Sequence, residues 1–207
     1  MPGGGKVVAI GSPYNDENGT NSGHVKVHRW IDSTSTWIPL GNAIICKSSR
    51  EYSGLSVSLS GDGTIVAVGI PRGNGYAGLT RVHRWNDSTS SCIRLGDDVV
   101  GDESGDFSGM SVSLLGDGEI VAIGAPKNRG VNGDNSGHVK VHRWIESIST
   151  WIQLGDDIDG EGEFDRSGES VSLSGDGKAV AIGGVNEENL NSQINVYELQ
   201  LEELFYM

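Results

Sequence analysis

Short apolar segments alternate with turns rich in glycine, asparagine, aspartate and serine along the chain. In the best-preserved stretch the apolar segments cover residues 111–115, 119–124, 138–144 and 150–155. They are rich in β-branched residues and much shorter than a typical helix, so they predict strands. The Asp-Gly pairs at residues 62–63, 117–118 and 176–177 predict tight hairpins whose glycines have a positive φ angle.

This pattern recurs with a long period. Ser-Val-Ser-Leu occurs at residues 56–59, 111–114 and 170–173, and each copy is followed by Gly-Asp-Gly and then by Val-Ala-Ile-Gly or a close variant. The copies start 55 and then 59 residues apart. Such a period is typical of repeat proteins, in which each unit buries its apolar surface against its neighbours. Four antiparallel strands per unit are typical of a propeller blade, so we predict an all-β fold, an incomplete β-propeller of four-stranded antiparallel blades.

The repeat also predicts the domain organisation. A partial blade with strands two to four covers residues 1–54, and whole blades cover residues 55–109 and 110–168. A partial blade with strands one to three covers residues 169–199, and the tail at 200–207 is unassigned. A closed propeller usually has about four to eight blades. We therefore expect open edges at both ends, covered by self-association or by missing blades. The apolar residues expected to pack there are Val8, Ile10, Val25, Val27, Val180, Ile182, Ile194 and Val196.

The amino-acid composition limits the kinds of molecule that the protein is expected to bind. The formal net charge of -13 repels phosphate backbones and anionic lipid, so nucleic acid is not an expected partner. No run approaches the roughly 18 apolar residues of a membrane span, and no membrane insertion is expected. The amino terminus lacks a secretory signal pattern, and the two cysteines, Cys46 and Cys92, form no disulfide or metal pattern, so the compartment stays open.

Three apparent motifs have simpler interpretations. Residues 73–78 match G-x-G-x-x-G, but an apolar strand follows them and not the helix that dinucleotide binding requires. His24 and His28, like His138 and His142, lie four residues apart, which on a strand is roughly 13 Å and too far to share one metal ion. Tryptophans recur with the repeat and are expected in the core between blades; they are Trp30, Trp37, Trp85, Trp144 and Trp151.

The acidic loops carry the clearest functional signal. Asp157, Asp159, Glu161 and Asp165 surround Gly162 with the alternating spacing that wraps carboxylates around a calcium ion. The equivalent loop of the preceding unit keeps Asp98, Asp102 and Asp106. We therefore name both sets as candidate Ca²⁺ ligands and rank the set at residues 157–165 above the set at residues 98–106. The alternative interpretation is that each is a solvated acidic turn.

The order of motifs between Asp106 and Leu154 resembles the FG-GAP repeats of bacterial and algal surface proteins, which are related to the integrin α-subunit propeller. The matching residues are Phe107-Ser108-Gly109, Gly124-Ala125-Pro126, an Asn-Ser-Gly loop, a Val-x-Val strand and Trp-x-x-Leu. The resemblance implies a propeller used for adhesion or ligand binding, and an extracellular or cell-surface location.

Nothing in the sequence forms a convincing catalytic set, so no enzyme is predicted. The predicted function is a non-enzymatic adhesion or protein-interaction propeller that binds through acidic loops on one face. Two alternatives stay open, a carbohydrate-binding propeller and an accessory domain of a secreted hydrolase. The protein or glycan ligand is not specified by the sequence.

Overall fold

The computed structural model describes residues 5–46, 48–186, 188 and 190–199, and within them it contains strands, turns and bends without a helix. The strands form four antiparallel sheets in chain order. Sheet I contains β1 (Val7–Ser12), β2 (His24–Ile31), β3 (Thr36–Pro39) and β4 (Ile44–Ile45). Sheet II contains β5 (Ser56–Leu59), β6 (Ile65–Ile70), β7 (Leu79–Asn86), β8 (Ser91–Arg94) and β9 (Val99–Val100).

Sheet III repeats this arrangement, and sheet IV is shorter. Sheet III contains β10 (Ser111–Leu114), β11 (Ile120–Ala125), β12 (His138–Ile145), β13 (Thr150–Gln153) and β14 (Ile158–Asp159). Sheet IV contains β15 (Ser170–Leu173), β16 (Ala179–Val185) and β17 (Ser192–Glu198). The glycines of the three predicted hairpins, Gly63, Gly118 and Gly177, have φ angles of 73°, 81° and 73°, which confirms that prediction. The predicted tail at 200–207 lies outside the described residues.

The fourth strand of a blade is broken, which sequence analysis did not predict. In sheet II, β8 pairs with the end of β7 at residues 83–86, and β9 pairs with its beginning at residues 79–80. Gly96 lies between the two short strands with a φ of 73°, a left-handed conformation that interrupts regular pairing. The same break occurs in sheet III at Gly155, with a φ of 66°.

Successive sheets pack face to face, and each pair shares one apolar cluster. Between sheets II and III the cluster includes Ala67 and Val82 on one side and Val121 and Ile123 on the other. Alternate residues of a strand point to opposite faces, so each middle sheet contributes to two clusters. The all-β fold with consecutive antiparallel blades is thus confirmed, and the ring of blades is not closed.

The first strands of successive sheets, β5, β10 and β15, lie side by side, and their serines connect the sheets. Ser56 Oγ donates to the Gly109 carbonyl over 2.8 Å, and Ser111 Oγ donates to the Gly168 carbonyl over 2.7 Å. Ser58 Oγ accepts a hydrogen bond from the Leu114 amide over 2.9 Å. The repeated Ser-Val-Ser-Leu segment therefore uses its serines for contact between blades.

The prediction that all five tryptophans lie in the core between blades is wrong for Trp37, whose side chain is exposed. Trp144 is buried in the cluster between sheets II and III. Trp37 instead contacts Trp30 edge-on across the β2–β3 pair, with ring centroids 5.5 Å apart. Sheet I is the first of the described sheets, and none of the other described sheets packs on its outward face.

Within the described part of the chain, the structure contains no helix long and apolar enough to cross a membrane.

Candidate metal centre

The long loops lie next to each other on one rim of the molecule. Parallel bridges join Gly78 to Ser108 and Gly137 to Ser167, so the loop before each third strand contacts the loop that follows the same blade. Only glycine fits at these contacts, because a Cβ at Gly78 or Gly137 would lie 2.2–2.3 Å from the carbonyl oxygen of the facing serine. This rim carries the acidic residues named from the sequence.

The first predicted set of calcium ligands, at residues 157–165, is divided among different partners. Asp165 is buried and accepts a hydrogen bond from Asn186 Nδ2 over 2.9 Å. Glu161 accepts a long hydrogen bond from Asn195 Nδ2, at 3.4 Å. In this arrangement neither carboxylate forms a cluster with Asp157.

Asp159 and Asp157 occupy different environments although they are two residues apart. Asp159 lies in β14, opposite His138, and its Oδ1 lies 2.9 Å from where a Cβ at Gly130 would be. Partial burial raises the pKa of the Asp159 carboxyl, with the nearby Asp157 charge acting in the same direction. Asp157 Oδ1 instead accepts a hydrogen bond from Gln153 Nε2 over 2.7 Å. The calcium assignment at these residues stays a prediction.

The second predicted set is also divided. Asp98 accepts two hydrogen bonds from the Arg81 guanidinium, at 2.8 and 2.9 Å, and forms an ion pair with Arg94 at 2.9 Å. Asp106 is buried, and its carboxylate accepts a hydrogen bond of 2.8 Å from the Glu103 amide in the same loop. The third member, Asp102, instead forms an ion pair with Lys140 of sheet III.

Asp102 meets a different group of side chains across the boundary between sheets II and III. Asp102, His138 and Asp157 each place one potential ligand atom so that all three atoms lie within 4.8 Å of one another. His138 Nδ1 is 3.4 Å from Asp157 Oδ2. Lys140 Nζ lies 2.7 Å from both Asp102 oxygens and 3.6 Å from Asp157. One acid from each predicted set therefore converges with a histidine, and a lysine lies beside them.

The electrostatics suit a neutral histidine between two carboxylates. His138 is buried, and burial lowers its pKa, while the Asp157 charge acts in the opposite direction. Its imidazole is therefore neutral near pH 7, with a ring nitrogen lone pair available for a metal ion. Lys140 is largely buried and neutralises part of the carboxylate charge. A metal ion at this position would compete with the Lys140 ammonium for the same oxygens.

Sequence reasoning missed His138 as a candidate ligand, because it considered only the pair of histidines four residues apart. Comparing the same position in successive repeats would have pointed to His138. His138 begins β12, whereas Leu79 begins the equivalent strand β7 in sheet II. His24 begins β2, but the residue of sheet I that corresponds to Asp157 is Ala43. Among the described residues, His138 therefore meets Asp102 and Asp157 at one boundary, the one between sheets II and III.

A surface cleft of about 410 Å³ lies on the same rim. Its lining includes Glu103, which directly follows Asp102 in the sequence, together with Asp106 and Phe164. Lys127 and Arg129 add positive charge, and Arg129 forms an ion pair of 2.8 Å with Asp134, which also lines the cleft. The volume falls within the range of clefts that bind small molecules, and the polar lining suits an oxygen-rich ligand.

Comparison with solved structures supports the propeller fold. The chain is similar to hydrazine synthase of Kuenenia stuttgartiensis, with a TM-score of 0.55 and 14% identity over 94% of this chain and 50% of that one. It is similar to the periplasmic gluconolactonase PpgL of Pseudomonas aeruginosa, with a TM-score of 0.53 and 14% identity over 93% of this chain and 49% of that one. TolB from Acinetobacter baumannii gives a TM-score of 0.48 and 16% identity over 94% of this chain and 38% of that one.

The chain thus spans half or less of these structures' length. No protein-family model and no curated protein matches the chain.

These comparisons correct the predicted function. The sequence predicted a non-enzymatic adhesion or protein-interaction propeller that binds through acidic loops, whereas the similar propellers include a gluconolactonase, an enzyme. The prediction relied partly on Asp98 and Asp106. Asp98 forms an ion pair with Arg81, and Asp106 accepts a hydrogen bond from the Glu103 amide, both within their own blade. The adhesion assignment is therefore withdrawn.

Proposed function

We propose that this protein binds a divalent transition-metal ion through Asp102, His138 and Asp157, and that the ion serves hydrolysis of a small, oxygen-rich substrate. The convergence of one nitrogen and two carboxylate ligands across the boundary between sheets II and III supports the proposal. The 3.4 Å between His138 Nδ1 and Asp157 Oδ2 suits two ligands bound to one ion at about 2.0–2.2 Å each.

The ligand types favour zinc or manganese over calcium. Calcium in proteins takes about six to eight oxygen ligands, whereas an imidazole nitrogen with carboxylate oxygens suits first-row transition metals. The predicted Ca²⁺ therefore becomes the comparison ion in the test. His138 is buried, and a rigid ligand of this kind reduces the entropy that metal binding must overcome.

Three protein ligands leave a coordination position for water, as in catalytic zinc sites. A metal ion held by these three residues would supply a water of lowered pKa, about 7, as the nucleophile. The substrate would bind in the cleft of about 410 Å³ on the same rim, which has Lys127 and Arg129 in its lining. The gluconolactonase among the similar structures makes sugar lactones the first substrates to test.

Metal binding is tested by calorimetric titration of the intact chain with Zn²⁺, Mn²⁺ and Ca²⁺. We expect Zn²⁺ to bind with one ion per chain, and Asp157→Asn or His138→Gln to weaken it at least about a hundredfold, because each removes a ligand. Lys140→Met is expected to strengthen Zn²⁺ binding about tenfold, since it removes the competing ammonium.

Asp98→Asn is the matched control, because Asp98 is the repeat equivalent of Asp157 but is held by Arg81 and Arg94. It is expected to leave Zn²⁺ affinity unchanged. Equal loss in both variants, or no gain in Lys140→Met, would show that the cluster is an ion-pair network only. Gluconolactone hydrolysis that persists after chelation, or that is absent with Zn²⁺ bound, would remove the hydrolase part of the proposal.

Three further assignments are proposals of the same kind. Kinship with FG-GAP repeats is supported by the motif order between Asp106 and Leu154, and an extracellular or envelope location is supported by the periplasmic gluconolactonase among the similar folds. The open edges of sheets I and IV are proposed to be covered by self-association or by further blades. Nucleic acid is not a proposed partner, because the net charge is -13.

A further inference from the structure

A second cleft, of about 420 Å³, has lining residues from both sheet I and sheet II. These two sheets share an apolar cluster that buries Val25 and Val27, which sequence analysis assigned to the open end of the chain. The cleft itself is mostly polar, and its volume suits a small molecule. The lining residues are Ile45, Ser48, Glu51, Arg81, His83 and Arg94.

Three nitrogen-bearing side chains lie next to each other on the sheet II side of this cleft. Arg81 and His83 alternate along β7 and therefore lie on the same face of the sheet. Arg94 in β8 lies directly opposite His83 in the strand register. Leu79, two residues before Arg81, belongs to the apolar cluster shared with sheet I, so this face of β7 is the one that faces sheet I.

Asp98 holds the two guanidinium groups in place. Arg81 donates to both Asp98 oxygens with Nε and Nη2, at 2.8 and 2.9 Å. Arg94 forms its ion pairs with Asp97 and Asp98 through Nη2 alone, at 3.9 and 2.9 Å. Among the described residues, Nε and Nη1 of Arg94 are therefore available to a ligand.

His83 lacks a hydrogen-bond partner in the same cleft. Both of its ring nitrogens are buried, and neither has a partner among the described residues. Burial, together with the charges of Arg81 and Arg94, lowers the pKa of His83 to about 4, while Asp98 acts in the opposite direction and less strongly. The imidazole is thus neutral near pH 7 and lies in a positive field. A ligand oxygen would satisfy its N–H group, which is costly to leave unpaired.

The second cation is particular to this boundary. Sheet III has Gln153 at the repeat position of Arg94, also paired with a histidine. There, Asp102 of sheet II pairs with Lys140 across the boundary. The sequence has a lysine, Lys47, at the repeat position of Asp102, so the preceding repeat supplies no acid at that position. The boundary between sheets I and II therefore suits an anionic group, whereas the next boundary suits a metal ion.

We infer that this cleft binds a small hydroxylated monocarboxylate, whose carboxylate contacts Arg94 and His83. Its hydroxyl groups contact Ser48 and Glu51. Guanidinium N–H groups form strong charge-assisted hydrogen bonds with a carboxylate. Glu51 is the one acid in the described lining, and it accepts hydrogen bonds from hydroxyl groups but repels further negative charge. That repulsion favours a monocarboxylate over a dianion such as phosphate. The inference is independent of the metal site.

Calorimetric titration of the intact chain with sodium gluconate tests the inference, after metal ions have been removed on a chelating resin. We expect one gluconate to bind per chain. Arg94→Gln is expected to weaken binding at least about tenfold, because it removes the charged donors and introduces the residue that sheet III has. Arg94→Lys is expected to lose less, since it keeps the charge but not the planar set of donors. The Arg94 side chain is 42% exposed, so neither change disturbs the core.

Arg84→Gln is the matched control. Arg84 lies on the same strand and carries the same charge, but it lies on the opposite face of the sheet and pairs with Glu146. It is expected to leave gluconate affinity unchanged. Glucose and inorganic phosphate are each expected to bind at least about tenfold more weakly than gluconate, because glucose lacks the carboxylate and phosphate brings a second charge towards Glu51.

Four results would each overturn the inference. They are no binding of gluconate, equal affinity in Arg94→Gln and wild type, equal losses in Arg94→Gln and Arg84→Gln, or binding of glucose or phosphate as tight as that of gluconate. Because the titration uses metal-free protein, failure of the metal proposal does not affect its outcome.

Discussion

Gly124→Ala is expected to destabilise the chain by about 3 kcal/mol or more, as forced overlap in a packed interior does. A Cβ at Gly124 would lie 2.1 Å from the Gly168 carbonyl oxygen and 2.9 Å from its carbonyl carbon. Both atoms belong to the backbone just before β15, the first strand of sheet IV, so sheets III and IV would have to separate. The free energy of unfolding in urea, monitored by tryptophan fluorescence, measures this cost.

Gly183→Ala is the matched control, because Gly183 has the same position in sheet IV. A Cβ there would meet only the Ser170 hydroxyl at less than 3.8 Å, and that side chain can rotate away. We expect the free energy of unfolding to stay within about 1 kcal/mol of wild type, since alanine also restricts the unfolded chain. Equal losses in the two variants would show that approach of the next blade is not the reason for glycine in this motif.

Acidification is expected to destabilise the protein between about pH 6.5 and pH 4. Burial lowers the pKa of His83 to about 4 and that of His142 to about 4, whereas both titrate near 6.5 when unfolded. Within that window the unfolded chain binds more protons than the folded chain, so stability is full above pH 6.5 and is lost as pH falls towards 4. The expected loss across this window is about 3 kcal/mol for each histidine.

Urea unfolding at pH 7, 6 and 5 checks this dependence. His142→Gln is expected to reduce the loss between pH 7 and pH 5, because glutamine does not titrate. Carboxylates also titrate near the lower end, but their contribution is common to wild type and variant. His83→Gln is expected to have a similar effect, because among the described residues neither ring nitrogen of His83 has a hydrogen-bond partner. Identical pH dependence in wild type and both variants would rule out the histidines as the cause.

Much of the fold was predictable from the sequence because its signals are local. Alternating apolar residues predict strands, Asp-Gly predicts hairpins, and the recurrence of Ser-Val-Ser-Leu predicts blades. The broken fourth strand was missed, because Gly96 and Gly155 look like ordinary turn glycines. The exposure of Trp37 was missed as well, because the recurrence of tryptophan suggested equal environments in every unit.

The candidate site was only partly predictable. Sequence spacing selected Asp102 and Asp157, but it placed each with acids from its own loop. The structure separates those acids, since Asp98 binds Arg81 and Asp165 binds Asn186. It then brings Asp102 to His138 and Asp157 across a boundary between blades. Such contacts join residues far apart in sequence, so the spacing of residues within one loop does not predict them.

The sequence by itself determined the strands, their turns and the repeated blade, since each depends on residues close together along the chain. Tertiary structure alone decided which side chains meet between blades and which faces stay open. Val82 and Val196 occupy the same position in the repeat, yet one is buried and the other exposed. The difference arises because burial depends on whether another sheet follows in space, and a residue's own repeat carries no record of that.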